Sequence, residues 1–587
     1  MIDRRTRSRE LREQTAQTAF DRTHFPQLPS GEEGAYVYDG ELSYAGSFTK
    51  GLPHDEQTGL ATPAAFRELV HAITTTRDAD YSLVPFGAAE ADSRPWVNPT
   101  AGAAFDMEGP DAGSLSIPPA PPVTSPEVAA EMAELYWMAL LRDHKFSEIQ
   151  AGTDPKVVSA VTSLNQLDWF KGSAPIAADR KRPPVTAQTL FRGVTAGDEV
   201  GPYVSQFLLT GTNSLANRGK MPVLTDFQTG EILYGAVTID QRITPAVAKR
   251  DYMTSFEEWL AIQNGSKPTH ADTFESTRRF ITTPRDLATY VHYDALYEAY
   301  LIACLILLES GAPFDPGLPF ANGKSRRQEG FGVFGPTHVL SLVTEVATRA
   351  LKCVWRQKWM VHRRARPEAI AGLIECFRRK PQSPVPFVKP LVELLKAANV
   401  LQAVKQHRPN GPMPQGTHLL PMAFPEGSPM HPSYGAGHAT VAGACVTILK
   451  AFFKEDRVLP FTFQADPSDP TKLQHLTALD GTLTVGGELN KLCSNISIGR
   501  NMAGVHYFTD YIESIRLGEQ IACAILEEQA VCLPEDFSIT FTSFDRASDG
   551  SPIDITVEKT GDEVIKRRQV RSMTAAADLR LLPIAAE

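Results

Sequence analysis

The chain has 587 residues, with 58 Lys and Arg against 68 Asp and Glu, and its formal net charge is −10. Hydrophobic residues make up 42% and charged residues 21%, which is typical of a soluble globular protein and excludes a largely disordered chain. The acidic balance argues against a general nucleic-acid binder, because such a protein needs a basic face for phosphates. It does not exclude a local basic pocket.

The apolar stretches, the N-terminal segment and the cysteines indicate further which class of protein this is. The longest apolar stretch, AYLIACLILL at 299–308, has about half of the roughly 20 residues that a membrane span needs, and it predicts a buried core helix. The arginine-rich start lacks the apolar segment of a secretory signal. We therefore expect an exposed arm or interface helix in a soluble protein, cytoplasmic or exported by a leader outside this sequence. All seven cysteines follow residue 300 without metal-binding spacing, which predicts buried free thiols.

The first two regions differ in composition. Residues 1–125 are rich in Gly, Pro, Asp and Ser, and they predict a loop-rich arm that forms an interface. The proline cluster at 116–126 is the best linker candidate, because proline fits neither a helix interior nor a central strand. Residues 126–280 predict a helical and mixed region, with a helix starting at Ser125-Pro126 and a strand-like stretch at 231–239.

Residues 281–530 predict the helical-bundle core. One buried helix is expected to run without a break from Thr283 to Ser310, because it is apolar on nearly all sides. The next helix must end near Arg366, since Pro367 disfavours helical conformation in the residue before it. Further helices are expected at 438–454, 488–499 and 507–529.

The last region, residues 531–587, predicts a small β element and a tail. Two alternating stretches, at 537–544 and 553–559, flank a turn-rich segment and suggest two strands. The fold class is therefore mainly α, a large helical bundle with minor β elements and a loop-rich N-terminal region.

Three segments of the bundle core carry residues suited to chemistry: 358–367, 431–438 and 499–510. Each alone has an ordinary structural explanation. Basic residues complement a helix C-terminus, a Gly-x-Gly-His sequence forms a turn, and a lone histidine in an amphipathic helix is an interior group. Together they suit a tetrahedral oxyanion such as phosphate or vanadate, which takes guanidinium forks, an ammonium group and free backbone N–H groups.

The cations and the turn supply these groups. Arg366 and Arg500 offer two guanidinium forks, and Lys358 offers a point charge. The turn at 435–438 enters an apolar helix, so its N–H groups and the helix dipole face an anion. Gly437 lets the backbone approach the anion closely.

Two histidines complete the candidate site. His438 and His506 offer imidazoles, one for acid–base chemistry and one to bond the central atom. His506 and Asp510 are four residues apart on an expected helix and would share a face. Asp510 would then orient His506 or pair with a nearby arginine.

The combined pattern is K-x7-RP, then GH, then GR-x5-H-x3-D. It resembles the signature shared by vanadium haloperoxidases and acid phosphatases of the type 2 phosphatidic-acid-phosphatase class. The segments HPSYGAGHAT, KWMVHRRARPEA and ELNKLCSNISIGRNMAGVHYFTD are similar to algal and cyanobacterial vanadium bromoperoxidases, most strongly over 350–520.

The resemblance implies a helical-bundle haloperoxidase fold and a peroxide-dependent oxidoreductase. Its cofactor is vanadate, and phosphate fits the same site. The substrates are hydrogen peroxide and a halide (bromide, with iodide or chloride as further candidates), and the resulting hypohalous acid halogenates small organic acceptors. Algal-type relatives assemble as dodecamers, so the resemblance implies a homo-oligomer. The family's calcium sites do not transfer, because no matching acidic loop occurs here.

The resemblance also assigns roles residue by residue. Three cations neutralise vanadate oxygens: Lys358, Arg366 and Arg500. The Gly437 N–H binds an equatorial oxygen, and His506 bonds vanadium as the axial ligand. His438 handles peroxide protons, and His431 is the additional pocket histidine of the bromoperoxidases.

Two positions depart from the family pattern. Ala436 stands where the family usually has a serine whose hydroxyl bonds the anion, and such a bond contributes about 1.5–3 kcal/mol. Trp355 stands where algal bromoperoxidases tend to have arginine and fungal chloroperoxidases tryptophan. A bulky apolar group there would dry the halide side of the pocket and alter halide preference.

Two alternatives stay open on the sequence. An acid phosphatase of the same superfamily would use the same cationic pocket, with His506 as the nucleophile on a phosphoester. A non-catalytic oxyanion-binding protein would have a degenerate site, because Ala436 replaces the serine. The retained histidines and cations argue against the second alternative.

Overall fold

The computed structural model describes residues 3–22, 26–173, 180–212, 222–321, 325, 327–380, 385–407 and 416–571. These residues form seventeen α-helices and nine β-strands. The helices before the bundle core are α1 Arg4–Arg22, α2 Pro63–Thr75, α3 Asp78–Tyr81, α4 Pro126–Leu140, α5 Phe146–Ala151, α6 Pro155–Gln166, α7 Leu224–Gln228 and α8 Phe256–Gln263.

The remaining helices build the bundle core and surround the candidate site. They are α9 Pro284–Tyr293, α10 Glu298–Glu309, α11 Pro336–Arg356, α12 Pro367–Arg379, α13 Lys389–Ala397, α14 Val400–Gln406, α15 Gly437–Phe452, α16 Val485–Met502 and α17 Phe508–Cys532. The expected helices at 438–454, 488–499 and 507–529 correspond to α15, α16 and α17.

Most strands pair as short antiparallel hairpins: β1 Val37–Tyr38 with β2 Glu41–Leu42, β3 Glu231–Tyr234 with β4 Val237–Asp240, and β5 Phe463–Ala465 with β6 Leu473–His475. The C-terminal sheet has the order β7 Phe537–Arg546, β8 Pro552–Thr560, β9 Glu563–Val570. Only two strands were expected there. The third was missed because β9 is mostly exposed and rich in charged residues, so it lacks the apolar alternation of a half-buried strand.

The N-terminal region is tied to the bundle. The helix α1 is exposed, and Arg7 forms an ion pair with Asp562 at 2.9 Å. In the proline-rich segment, Ile117, Ala120 and Val123 are buried in the same apolar core as the helices. This segment therefore packs against the bundle and is not a free linker. The proposed division into regions 1–125, 126–280, 281–530 and 531–587 stays a prediction.

The helix expected from Thr283 to Ser310 is wrong as a single element. Thr283 caps α9 by accepting the N–H of Asp286, but the chain bends by 99° between α9 and α10. Asp294 is extended at the break, and Glu298 accepts the Ala295 N–H at 3.1 Å to start α10. Among the described residues, no single helix is long and apolar enough to cross a membrane, although this bent pair passes that test when both halves are taken together.

Helix α15 lies at the centre of the bundle and packs against α11, α16 and α17. Small residues allow the close approach of α15 and α17: a Cβ on Gly443 would lie 2.2 Å from the Ile515 carbonyl oxygen, and one on Gly518 would lie 2.2 Å from that of Thr440. Six of the seven cysteines are buried and all seven are free, as expected; Cys532 is exposed. The central position of α15 fixes the place of its N-terminus.

The end of α11 differs from the expectation of helix to near Arg366. The α-helix ends at Arg356 and continues as a π-helical turn over Gln357–His362, and Arg363 then takes a left-handed conformation with φ 46°. This turn carries Lys358. Arg366 becomes the residue that precedes α12, with Pro367 at the first helical position, where its missing N–H costs nothing.

Candidate active site

The ends of five helical segments meet at the candidate site. Lys358 comes from the π-helical turn after α11, and Arg366 from the residue before α12. Gly437 begins α15 and Ala436 precedes it, Arg500 lies in the last turn of α16, and His506 lies just before α17. The structure thus brings together the three segments that the sequence separates by more than 60 residues.

Arg366 contacts both His431 and His506 and so connects the two histidines of this pocket. Its Nε donates to the His431 carbonyl oxygen at 2.9 Å, and its Nη2 lies 2.9 Å from His431 Nδ1. Its Nη1 lies 3.0 Å from His506 Nε2 and donates to the Val505 carbonyl oxygen at 2.7 Å. Burial, together with the positive charge of Arg500, lowers the pKa of Arg366 to about 9. The charged form of Arg366 is therefore disfavoured in this pocket unless an anion binds beside it.

Lys358 is fully buried beside the same pocket. Its ammonium group donates to the carbonyl oxygens of Pro432 and Ser433, both at 2.9 Å. Burial, reinforced by the charges of Arg366 and Arg500, holds the pKa of Lys358 well below its usual range. The backbone before α15 thus fixes the position of the cation.

Arg500 has unused donor capacity. One Nη1 donates to the Val291 carbonyl oxygen at 2.8 Å, while Nε is buried without a hydrogen-bond partner among the described residues. Burial lowers the pKa of Arg500. A buried guanidinium N–H with no partner is destabilising, so an oxyanion that accepts from it would relieve that cost.

The N-terminus of α15 lies near two of these cations, because the charges of Arg500 and Lys358 act on His438 in its first turn. The first N–H groups of a helix have no partner inside the helix, and the dipole there favours an anion. A Cβ on Gly437 would lie 3.1 Å from a ring atom of Trp355, so glycine allows this end of the helix to pack closely against that ring.

His506 and Asp510 were expected to share one face of a helix, and this expectation is wrong. His506 lies outside α17, whereas Asp510 is in its first turn and folds back over the helix end. His506 Nδ1 lies 2.7 Å from Asp510 Oδ2, and the Tyr507 N–H donates to the same oxygen at 3.3 Å. Burial and the charge of Arg366 hold the pKa of His506 well below its usual range, so the ring is neutral. The Nδ1–H to carboxylate bond then leaves a lone pair on Nε2.

Asp510 makes both of the contacts that were considered as alternatives. Besides His506, it pairs with Arg364 Nη1 at 2.8 Å, and Arg364 also binds Glu131 at 2.7 Å. Ser433 Oγ donates to Asp510 as well. Burial opposes ionisation of Asp510, but Arg364 and the His506 hydrogen bond outweigh it and hold its pKa well below the usual range.

His438 has a partner that sequence reasoning missed. Its Nε2 lies 3.1 Å from Asp294 Oδ1, and Asp294 comes from the break between α9 and α10. Burial lowers the pKa of His438, while Asp294 acts against this shift. Residue spacing gives no signal for this pair because the two residues are 144 positions apart.

His431 and Trp355 close one side of the pocket. Their ring centroids are 4.8 Å apart, and Trp355 Nε1 donates to the Val97 carbonyl oxygen at 3.1 Å. The Lys358 ammonium lies 5.5 Å from the centroid of the Trp355 ring. Burial and the charges of Lys358 and Arg366 hold the pKa of His431 well below its usual range. Trp355 is thus an apolar wall against the cationic pocket.

Ala436 precedes α15 and gives no side-chain donor or acceptor. Its backbone N–H is already used, because it donates to Ser514 Oγ at 2.7 Å. The remaining donor set fits a tetrahedral oxyanion: the buried cations, the unpartnered Nε of Arg500 and the α15 N-terminus all favour one. A metal centre within that oxyanion would find its ligand in Nε2.

Comparisons with known proteins agree with this geometry. A family model described as the VCPO second helical-bundle domain matches residues 391–532. The vanadium-dependent bromoperoxidase of Corallina pilulifera is 45% identical over 572 residues, which cover 90% of this chain and 95% of that protein. The vanadium-dependent bromoperoxidase of Ascophyllum nodosum is 36% identical over 521 residues, 86% of each chain.

A solved structure extends the similarity to the fold. The homohexameric second vanadate-dependent bromoperoxidase of Ascophyllum nodosum matches with a TM-score of 0.80 at 30% identity, covering 96% of this chain and 94% of that one. The mainly α, haloperoxidase-like bundle expected from the sequence is thereby confirmed. The chain belongs to the vanadium-dependent bromoperoxidase family.

Proposed function

We propose that this protein is a vanadate-dependent haloperoxidase that oxidises bromide with hydrogen peroxide. The reaction consumes hydrogen peroxide, bromide and a proton, and it yields hypobromous acid and water. The hypobromous acid then halogenates small organic acceptors. One observation carries the proposal: three buried cations and a helix N-terminus lie around His506, whose Nε2 accepts a hydrogen bond from Arg366 Nη1 at 3.0 Å.

The residues divide the work of holding vanadate. Arg366, Arg500 and Lys358 would donate to its oxygens, together with the Gly437 N–H, and His506 Nε2 would bind vanadium where it now meets Arg366 Nη1 at 3.0 Å. Bound vanadate supplies a Lewis acid that activates hydrogen peroxide without a change of oxidation state. The protein contributes a preorganised set of hydrogen-bond donors in a buried pocket.

His438 is suited to move protons. Its lowered pKa keeps the imidazole neutral near pH 7, so it can accept a proton from hydrogen peroxide. Asp294, at 3.1 Å from Nε2, stabilises the imidazolium that results. His431, buried against Trp355, would hold the halide side of the pocket together with Lys358.

Phosphate has the same shape and charge pattern as vanadate, so we expect it to compete for this pocket. This similarity is also why an acid phosphatase was an alternative. The bromoperoxidase relatives support the haloperoxidase and not the phosphatase.

The test separates these activities. The protein is dialysed with orthovanadate and assayed for peroxide-dependent bromination of a β-diketone dye, and the vanadate-free protein is assayed for hydrolysis of p-nitrophenyl phosphate. We expect vanadate-dependent bromination that is lost in His506→Ala. Bromination without vanadate, or full activity in His506→Ala, would overturn the proposal. Phosphate hydrolysis at a high rate with no bromination would establish the phosphatase.

We also propose that the protein works as a homo-oligomer. A related bromoperoxidase of Ascophyllum nodosum forms a homohexamer, which supports this assembly class. A dodecamer is the larger assembly expected from the algal-type resemblance. Native mass spectrometry distinguishes a hexamer, a dodecamer and a monomer directly.

A further inference from the structure

A cavity of about 510 Å³ opens where the β3–β4 hairpin meets α9 and α10. Its floor contains the buried side chains of Thr289, Tyr290 and Ile302, while Phe274 and Tyr293 stand at its exposed rim. This volume is within the range of sites that enclose a small organic molecule. The cavity is therefore large enough for a small ligand, and its lining combines aromatic and aliphatic side chains with polar ones.

The cavity adjoins the catalytic pocket through one side chain. Asp294 lines the cavity, and its Oδ1 lies 3.1 Å from His438 Nε2. The carboxylate is almost completely buried, with 4% of its side chain exposed. A molecule in the cavity would thus be separated from His438 by the Asp294 carboxylate.

The lining favours a neutral aromatic molecule that carries a hydroxyl group. The wall carries the carboxyl groups of Asp294 and Glu298, which can accept a hydrogen bond from a hydroxyl group. Rings of Phe274 and Tyr293 form an edge-to-face pair with centroids 5.5 Å apart, which gives an aromatic rim. An aromatic guest would contact these rings, and its hydroxyl would donate to a carboxyl group of the wall.

Charge argues against an anionic guest. The two arginines of the wall are already engaged: Arg242 pairs with Asp240 at 2.9 Å, and Arg278 pairs with the same carboxylate at 3.3 Å. The wall also contains the acidic side chains of Asp294 and Glu298. With its cations paired and two further carboxyl groups present, the cavity would repel a carboxylate or a phosphate.

We propose that this cavity binds a small phenol as the organic acceptor, so that halogenation takes place beside the catalytic pocket. The proposal rests on the proposed function, which supplies hypobromous acid. In the step, a ring carbon forms a C–Br bond while the O–Br bond breaks. The ring carbon loses its proton, and the released hydroxide takes up a proton to leave as water.

The first experiment measures binding without catalysis. Phenol is titrated into the full-length protein without bromide or peroxide and followed by ligand-observed NMR, with cyclohexanol as the non-aromatic comparison. We expect phenol to bind more tightly than cyclohexanol.

One variant blocks the cavity at its exposed rim, so that the buried residues of its floor stay unchanged and folding is not disturbed there. Thr244→Trp places a bulky ring at the exposed rim, and Thr238→Trp places the same ring on an exposed position of β4 outside the cavity. We expect Thr244→Trp to abolish phenol binding and Thr238→Trp to leave it intact. Equal phenol binding in both variants would overturn the proposal.

The second experiment measures products. Each variant is assayed for bromination of phenol and of the β-diketone dye, and the ratio of the two rates is compared. We expect Thr244→Trp to lower the phenol-to-dye ratio and to move the ortho-to-para product ratio to that of free hypobromous acid. A wild-type product ratio identical to that of the free reagent would overturn the proposal while the haloperoxidase function stands. Phenol binding without any bromination would instead refute the function and leave the cavity as a binding site.

Discussion

His506 Nδ1 lies 2.7 Å from Asp510 Oδ2, and this contact decides which nitrogen of His506 faces the anion pocket. A carboxylate at Nδ1 fixes the proton there and turns the lone pair of Nε2 toward the cations. Arg364 holds the other carboxylate oxygen at 2.8 Å, so the orientation of the ring depends on an ion pair outside the pocket. The pair thus links the interior of the bundle to the ligand atom.

Asp510→Asn should weaken vanadate binding about 10- to 100-fold, because His506 loses its anionic partner and its ring becomes a poorer ligand. The dissociation constant is measured by equilibrium dialysis of vanadate, with folding checked by circular dichroism. Since the substitution also leaves Arg364 with one partner fewer, Ser433→Ala is the matched variant: it removes one hydrogen bond to the same carboxylate and should have a much smaller effect. Unchanged vanadate affinity in folded Asp510→Asn contradicts the assignment.

Ala436→Ser should strengthen vanadate binding about tenfold. The new hydroxyl would stand at the residue before α15, where it adds one donor to an anion, and such a bond contributes about 1.5–3 kcal/mol before its ordering cost. Serine at this position also caps the helix, so the melting temperature should rise. Ala436→Gly separates the effects, because it adds no hydroxyl. If Ser and Gly variants bind vanadate equally well, the missing serine is not what limits affinity.

Much of this site follows from local sequence. The positions of α15, α16 and α17 come from apolar runs flanked by turn residues. From the sequence, Pro367 predicts only the end of the preceding helix, whereas it also begins α12. Lys358, Arg366 and Arg500 could be grouped because their chemistry is complementary to one anion. In the structure, each of the three residues lies at the end of a helical segment, and these ends meet at one pocket.

The parts that could not be predicted depend on distant contacts. Asp294 reaches His438 because the chain bends between α9 and α10, and the apolar pattern there indicated an unbroken helix. Arg364 was not singled out from the sequence, yet it is buried between Glu131 and Asp510. The periodic pattern of apolar residues gives no information about ion pairs between residues that are far apart in sequence.

Trp355→Arg should lower chloride oxidation relative to bromide oxidation by about threefold to tenfold. Chloride is more strongly hydrated than bromide, so it loses more when a dry aromatic wall is replaced by a hydrated cation. Trp355 packs against His431 with ring centroids 4.8 Å apart, which places it on this side of the pocket. The rates of dye chlorination and bromination give the ratio.

The control for this prediction is Trp355→Phe, which keeps an apolar ring and should keep most of the chlorination. The underlying hypothesis of altered halide preference also has a direct check in the unmodified protein. If it supports bromination and gives no chlorination under the same conditions, Trp355 does not extend the halide range. A chlorination-to-bromination ratio that rises in Trp355→Arg would reverse the argument.

Glu455 should make the stability of the fold depend on pH. Burial raises its pKa from the ordinary value of 4.5 to about 7, even though Lys450 lies 3.8 Å away and the Thr542 N–H donates to it at 2.6 Å. Arg571 acts with Lys450 to lower this pKa, and Asp554 acts to raise it. The folded state therefore holds a proton between pH 4.5 and about 7 that the unfolded chain releases. Stability from this group is complete below pH 4.5 and is lost as the pH rises through about 7.

Glu455→Gln removes this titration and keeps an acceptor for Thr542, while Lys450 retains Asn490 at 3.2 Å. The melting temperature of the variant minus that of the unmodified protein should increase from pH 5 to pH 8, by an amount that corresponds to about 3 kcal/mol at most. Differential scanning fluorimetry at fixed protein concentration measures it. Glu563→Gln, on the exposed strand β9, is the matched control and should give a constant difference across the same range. If the Glu455→Gln difference is constant as well, Glu455 is ionised in the folded protein throughout, and its contact with Lys450 outweighs the burial of its carboxyl group.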